Sequence, residues 1–139
     1  MRTAAAVGCA VALVTLLAAS VAAAGYKTGH YAGETSQGES IGFRAKKLSV
    51  KKFDFALRVD CDDGSAFDLL EPSGAQAPTD DRGKFRAIFT TQISGGVEST
   101  TVLKGRLKRQ KASGSLHAEG ITSAGASCSG AADWSAERQ

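Results

Sequence analysis

The chain has 139 residues, with 17 basic and 14 acidic side chains and a formal net charge of +3. So small a charge excess makes no chain-wide basic field, and nucleic acid is not an expected partner. With 42% hydrophobic residues, the chain can bury one core of ordinary size.

The first residues, MRTAAAVGCAVALVTLLAASVAAAG, read as a leader. Arg2 supplies a positive start, residues 4–19 are uncharged and apolar, and Ala22-Ala23-Ala24 offers small residues for cleavage after Ala24. This is the pattern of a secretory signal peptide, so residues 1–24 are expected to be removed and 25–139 to form a single β domain. Cys9 stands near the start of the apolar run, too early for a lipoprotein cysteine, and leaves with the leader. No later stretch reads as a membrane span. The expected location is secreted or extracytoplasmic, with no transmembrane anchor after cleavage.

Beyond residue 24 the apolar residues recur with period two. Ile41, Phe43 and Ala45 alternate with polar neighbours, as do Phe53, Phe55, Leu57 and Val59, and then Phe85, Ala87 and Phe89. Successive side chains of a strand point to opposite faces, so these are half-buried strands. The spacing predicts about seven to nine strands, near 26–33, 40–46, 48–60, 65–71, 83–93, 96–109, 112–121 and 125–137. Leu48 and Val50 are out of phase with Phe53, and Lys51-Lys52 carries the shift. Either a β-bulge there or a short turn at 45–47 accounts for it. Both prolines fall in EPSGAQAPTDDRG, residues 71–83, which reads as the longest loop. The fold expected is all-β, an antiparallel β-sandwich or small β-barrel with one disulfide.

Two cysteines remain in the exported chain, and Cys61 and Cys128 are expected to pair. Around the first lies VDCDDGSAF, residues 59–67. As a calcium loop starting at Asp60 it fails, because glycine falls at position five instead of six. Asp63-Gly64 fits a tight hairpin turn instead, with Asp60 and Asp62 on the outer face.

Residues 101–120 fold as a hairpin around Gln110-Lys111. That register sets Leu107 opposite Gly114, Gly105 opposite Leu116 and Leu103 opposite Ala118, a large residue against a small one each time. Gln-Lys suits a two-residue turn poorly, so a longer loop is expected. The outer face of the first strand then carries Lys104, Arg106 and Lys108, flanked by Arg109 and Lys111. Such a stripe can meet an anionic polymer of the cell envelope or extracellular matrix, or an anionic lipid surface, and it can also serve only to keep a sheet soluble. No aromatic residue interleaves with it, so stacking on bases is not supported.

Catalytic spacings are lacking. His30 and His117 stand in no metal-ligand pattern, and Ser40 in Gly-Glu-Ser-Ile-Gly lies in a strand rather than a nucleophile elbow. No catalytic residue, metal or cofactor is assigned. Tyr26 and Tyr31 read as core or as a sugar-stacking pair, and Trp134 as packing over the disulfide.

Gly29–Gly33 with Thr35-Ser36-Gln37-Gly38, the Ile-x-Phe strand, Cys61-Asp62-Asp63-Gly64, Lys111–Leu116, Cys128-Ser129-Gly130 and Trp134-Ser135-Ala136 together carry a resemblance. The chain resembles small secreted β-rich proteins of actinobacteria. The resemblance implies an exported β domain with one disulfide and transfers no catalytic or binding residue. The function expected is a non-catalytic binding or cell-envelope-associated module, with a cell-envelope polymer or another protein as partner. The alternatives are a small extracytoplasmic hydrolase with a dispersed active site and an inhibitor module acting through the 71–83 loop.

Overall fold

The computed structural model describes residues 25–93, 97–121 and 125–139. The leader, Cys9 and the Gly95-Gly96 turn lie outside the described residues. Eight strands form one antiparallel sheet: β1 (Gly29–Thr35), β2 (Ser40–Lys46), β3 (Ser49–Cys61), β4 (Ala66–Pro78), β5 (Lys84–Ile93), β6 (Val97–Lys108), β7 (Lys111–Ile121) and β8 (Ser127–Arg138). The order is β4-β3-β2-β1-β8-β7-β6-β5. Each strand lies beside its sequence neighbour except at β4 and β5, and the first strand lies beside the last. The two outer strands touch through an isolated bridge between Thr79 and Phe85.

Period two builds the interior as expected. Tyr31 stacks on Phe43 at 5.3 Å between ring centres, and Phe43 also meets Phe85 (5.7 Å) and Trp134 (5.6 Å). Phe89 receives Phe53 and Phe55 edge-on at 5.4 and 5.5 Å. Rings of β2 and β3 thus meet rings of β5 and β8, so the two halves of the sheet face each other across one core. Edge-to-face ring pairs add about 0.5–1.5 kcal/mol each beyond the area they bury.

The β1–β2 hairpin is short, and it wedges β3 and β8 apart. Where the hairpin ends, β3 and β8 pair directly, at Asp60 with Ser129 and Cys61 with Cys128. Those two cysteines form the expected disulfide. The Gln37 amide fills the fork: it donates to the Arg58 and Ala131 carbonyls (3.2 and 3.4 Å) and accepts from the Arg58 N–H (2.8 Å). A side chain here replaces the peptide group that a longer strand would supply.

Several expectations are corrected. Residues 71–78 are strand, not loop, and the connection to β5 shrinks to 79–83. Pro72 and Pro78 stand on an outer strand, where one side of the backbone has no ladder to donate to. The β6–β7 register is shifted by two residues: Leu107 faces Ala112, Gly105 faces Gly114 and Leu103 faces Leu116. The connection is the two-residue turn Arg109-Gln110, with Arg109 at φ 58°. The inward and outward faces are unchanged, because a shift of two preserves parity.

The phase break near Lys51 is the β-bulge, and the turn expected at 45–47 lies instead at 47–48. The register slips between Lys51 and Phe53, with Lys52 at φ 54°, and β2 turns into β3 through Lys47-Leu48. Leu48 is therefore an exposed turn residue and not the start of β3. Tyr26 and Tyr31 are buried, so neither stacks on a sugar. Trp134 does not cover the disulfide: it packs on Phe43 and Phe85. It stands six positions after Cys128, roughly 20 Å along β8.

Candidate functional site

On the outer faces of β5 and β6 the cations stand in two directly opposed pairs. Lys84 faces Arg106, and Arg86 faces Lys104. All four are exposed, because Phe85, Ala87, Leu103 and Leu107 take the inward positions. Across β7 and β8 the same rows continue as Ser113 and Ser135 beside Arg106, and as Ser115 and Asp133 beside Lys104. One row further along, Lys108 faces Lys111, which Glu137 partly neutralises at 3.5 Å. None of Lys84, Arg86, Lys104, Arg106 and Lys108 forms an ion pair among the described residues. Arg106 Nε donates to the Arg82 carbonyl at 3.4 Å, a contact that leaves its charge uncancelled.

The surface here is a shallow saddle. One concavity of about 790 Å³ is lined by Lys84, Arg86, Lys104, Arg106, Ser113 and Ser115. A second, of about 1090 Å³, runs on over Arg106, Lys108, Lys111, Ser113 and Ser135. Cations and serine hydroxyls share this lining with four carboxylates, Asp80 and Asp133 in the first concavity and Glu34 and Glu137 in the second. A hydroxyl and a guanidinium both donate, so the part of the lining around Lys84, Arg86, Lys104 and Arg106 suits an acceptor-rich anion.

The expected stripe of Lys104, Arg106 and Lys108 is thus on one face, and β5 doubles it. Lys84 and Arg86 were legible as outward residues of their own strand. Folding 84–106 about residue 95 pairs Lys84 with Arg106, which is the signal that would have joined them to the stripe.

The charge changes sign along β6. Its outward residues run Glu98, Thr100, Val102, Lys104, Arg106, Lys108. At the acidic end a concavity of about 970 Å³ is lined by Asp60, Asp62, Glu98 and Glu119 next to the disulfide. All four carboxylates are exposed. A carboxyl that works as a general acid near neutral pH is lifted by burial or by a close like charge, and exposure removes the first of these. Nearby, His117 Nε2 and Glu119 Oε1 are 3.0 Å apart at the surface. His30 lies on β1, away from this pair in the sheet order.

The DCDDG segment is a turn. Gly64 has φ 85° and its N–H donates to the Cys61 carbonyl, while the Cys61 N–H donates to Ser65. The Ser65 hydroxyl and N–H both donate to Asp63 Oδ1 and hold that carboxyl below its ordinary range, the hydroxyl foremost. Asp63 is thereby spent on capping its own turn. Among the described residues no group of three or more potential ligands could hold a metal ion.

No protein-family model matches the chain, and no curated protein and no solved structure matches it.

Proposed function

We propose that this protein is an exported, non-catalytic binding module that takes an anionic polymer of the cell envelope on the outer face of β5 and β6. The carrying observation is the pair of opposed couples, Lys84 with Arg106 and Arg86 with Lys104, without a carboxylate partner. Like charges directly across a sheet destabilise it, so a sheet selected for folding alone gains nothing by this placement. The Cys61–Cys128 disulfide supports the exported location, since such bonds persist in oxidising compartments. Among the described residues no helix is long and apolar enough to cross a membrane.

The test uses residues 25–139 on immobilised dextran sulfate and on purified anionic cell-wall polymer. The expected result is retention that salt reverses, and elution at clearly lower salt for the variant K84Q/R86Q/K104Q/R106Q. Equal elution of the two proteins would remove this face as the binding site.

A further inference from the structure

The segment Lys46-Lys47-Leu48-Ser49-Val50-Lys51-Lys52 carries four lysines around one exposed leucine, and its turn abuts Thr79 at the rim of the β5–β6 face. Leu48 is 58% exposed and stands at the tip of the turn between β2 and β3. Its φ is 65°, the left-handed conformation that this turn position reserves for glycine or asparagine. A large apolar side chain is doubly out of place there, by backbone and by solvent. The inference from such an outlier runs to function.

The tip is held firmly. The Leu48 N–H donates to the Tyr26 hydroxyl (3.1 Å), and the Leu48 carbonyl accepts from the Thr79 N–H (3.0 Å). The same hydroxyl donates to the Lys46 carbonyl (3.0 Å) and lies 2.8 Å from Thr79 Oγ1. Tyr26 itself is buried and bridges to Arg109. The leucine therefore projects from a braced corner, not from a slack loop. Lys46 and Lys47 are exposed beside it, and Lys27 and Arg109 stand at the same end of the molecule. Asp80 at that end is engaged by its own turn, accepting from the Arg82 and Lys84 N–H groups.

We infer that this end docks on an anionic lipid bilayer, with Leu48 inserted past the headgroups and the lysines against them. A bilayer offers negative charge outside and hydrocarbon beneath, in the order that the tip presents lysine and leucine. An anionic polymer would satisfy the lysines and leave the leucine in water. One small apolar anchor binds only marginally alone, and a basic patch is the second signal that makes such attachment hold. The lysine stems reach outward while their apolar lengths line the insertion.

The experiment is co-sedimentation of residues 25–139, which contain every described strand and the whole described core, with vesicles. One set holds 30% phosphatidylglycerol in phosphatidylcholine, the other phosphatidylcholine alone. The expected result is binding to the anionic set that salt weakens. Leu48→Asn should lose about tenfold in affinity, the scale of one inserted aliphatic side chain. K46Q/K47Q should lose a comparable factor. Asparagine tolerates positive φ, so Leu48→Asn should melt no lower than the parent; Leu48→Gly serves if it does. Binding by Leu48→Asn equal to the parent would overturn the insertion, as would sedimentation no greater with the anionic set. The variant altered at Lys84, Arg86, Lys104 and Arg106 should keep its dependence on Leu48, so failure of the polymer reading leaves this one standing.

Discussion

Gly105 shows how one missing atom sets the packing of a strand pair. It occupies an inward position of β6, between the buried Leu103 and Leu107. A Cβ there would lie 2.5 Å from the Trp134 ring and 2.6 Å from the Phe85 ring. Both rings belong to the central aromatic cluster and are themselves 6.2 Å apart. Neither can retreat without displacing Phe43. Gly105→Ala should therefore destabilise the fold by about 1–3 kcal/mol through overpacking. Urea denaturation checks this, and an unchanged midpoint would mean that the rings rearrange freely. The same residue explains an error of register in reading the sequence. Pairing large residues with small ones sets Gly105 opposite Leu116, yet the structure pairs it with Gly114. The space is filled by Phe85, the partner of Gly105 on β5, and by Trp134 of β8, neither of which a reading of β6 against β7 alone can see.

At the scale of elements, the fork between β3 and β8 is where the sheet depends on a covalent bond. The short β1–β2 hairpin leaves these strands to meet only near their ends, and Cys61–Cys128 joins them across 67 residues of sequence. Chain entropy alone assigns such a loop about 4 kcal/mol. The double variant C61A/C128A should fall in stability by roughly that amount, read as a lowered urea midpoint with a steeper slope, because the unfolded chain without the cross-link exposes more surface. A loss well under 1 kcal/mol would show that strand pairing, not the bond, fixes the fork. This bond was legible because arithmetic left a single pairing, and most strands were legible because alternation survives any local detail. β4 was not. Its continuation through Pro72 to Pro78 reads as loop, since proline removes a ladder donor, and only the sheet order reveals that β4 is an outer strand. The loop reading of 71–83 shrinks with that to 79–83. Leu48 was misread for a related reason: periodicity extends a strand by one residue as easily as it ends it. Whether the backbone turns there depends on its φ, which hydrophobic pattern does not encode.

Over the whole molecule the charges are sorted more than they are numerous. The net charge is small, yet the outward ladder of β6 runs from Glu98 at one end to Lys108 at the other, and Lys84 and Arg86 thicken the basic half. An even mixture of signs would stabilise the sheet better. Two directly opposed like-charge pairs together cost about 1 kcal/mol at low ionic strength. Removing them should thus give a protein that binds less and folds better, the usual sign that a site is held against stability. For K84Q/R86Q/K104Q/R106Q the melting temperature in low salt should rise by about 4 °C, the shift that 1 kcal/mol produces in a domain of this size. In 1 M salt the screening length shrinks to about 3 Å, and the difference between variant and parent should vanish. A melting temperature that falls at both salt concentrations would mean that the long side chains stabilise the sheet by covering Ile88 and Val102 beside them. The basic face would then be a structural surface, even if a polymer adheres to it.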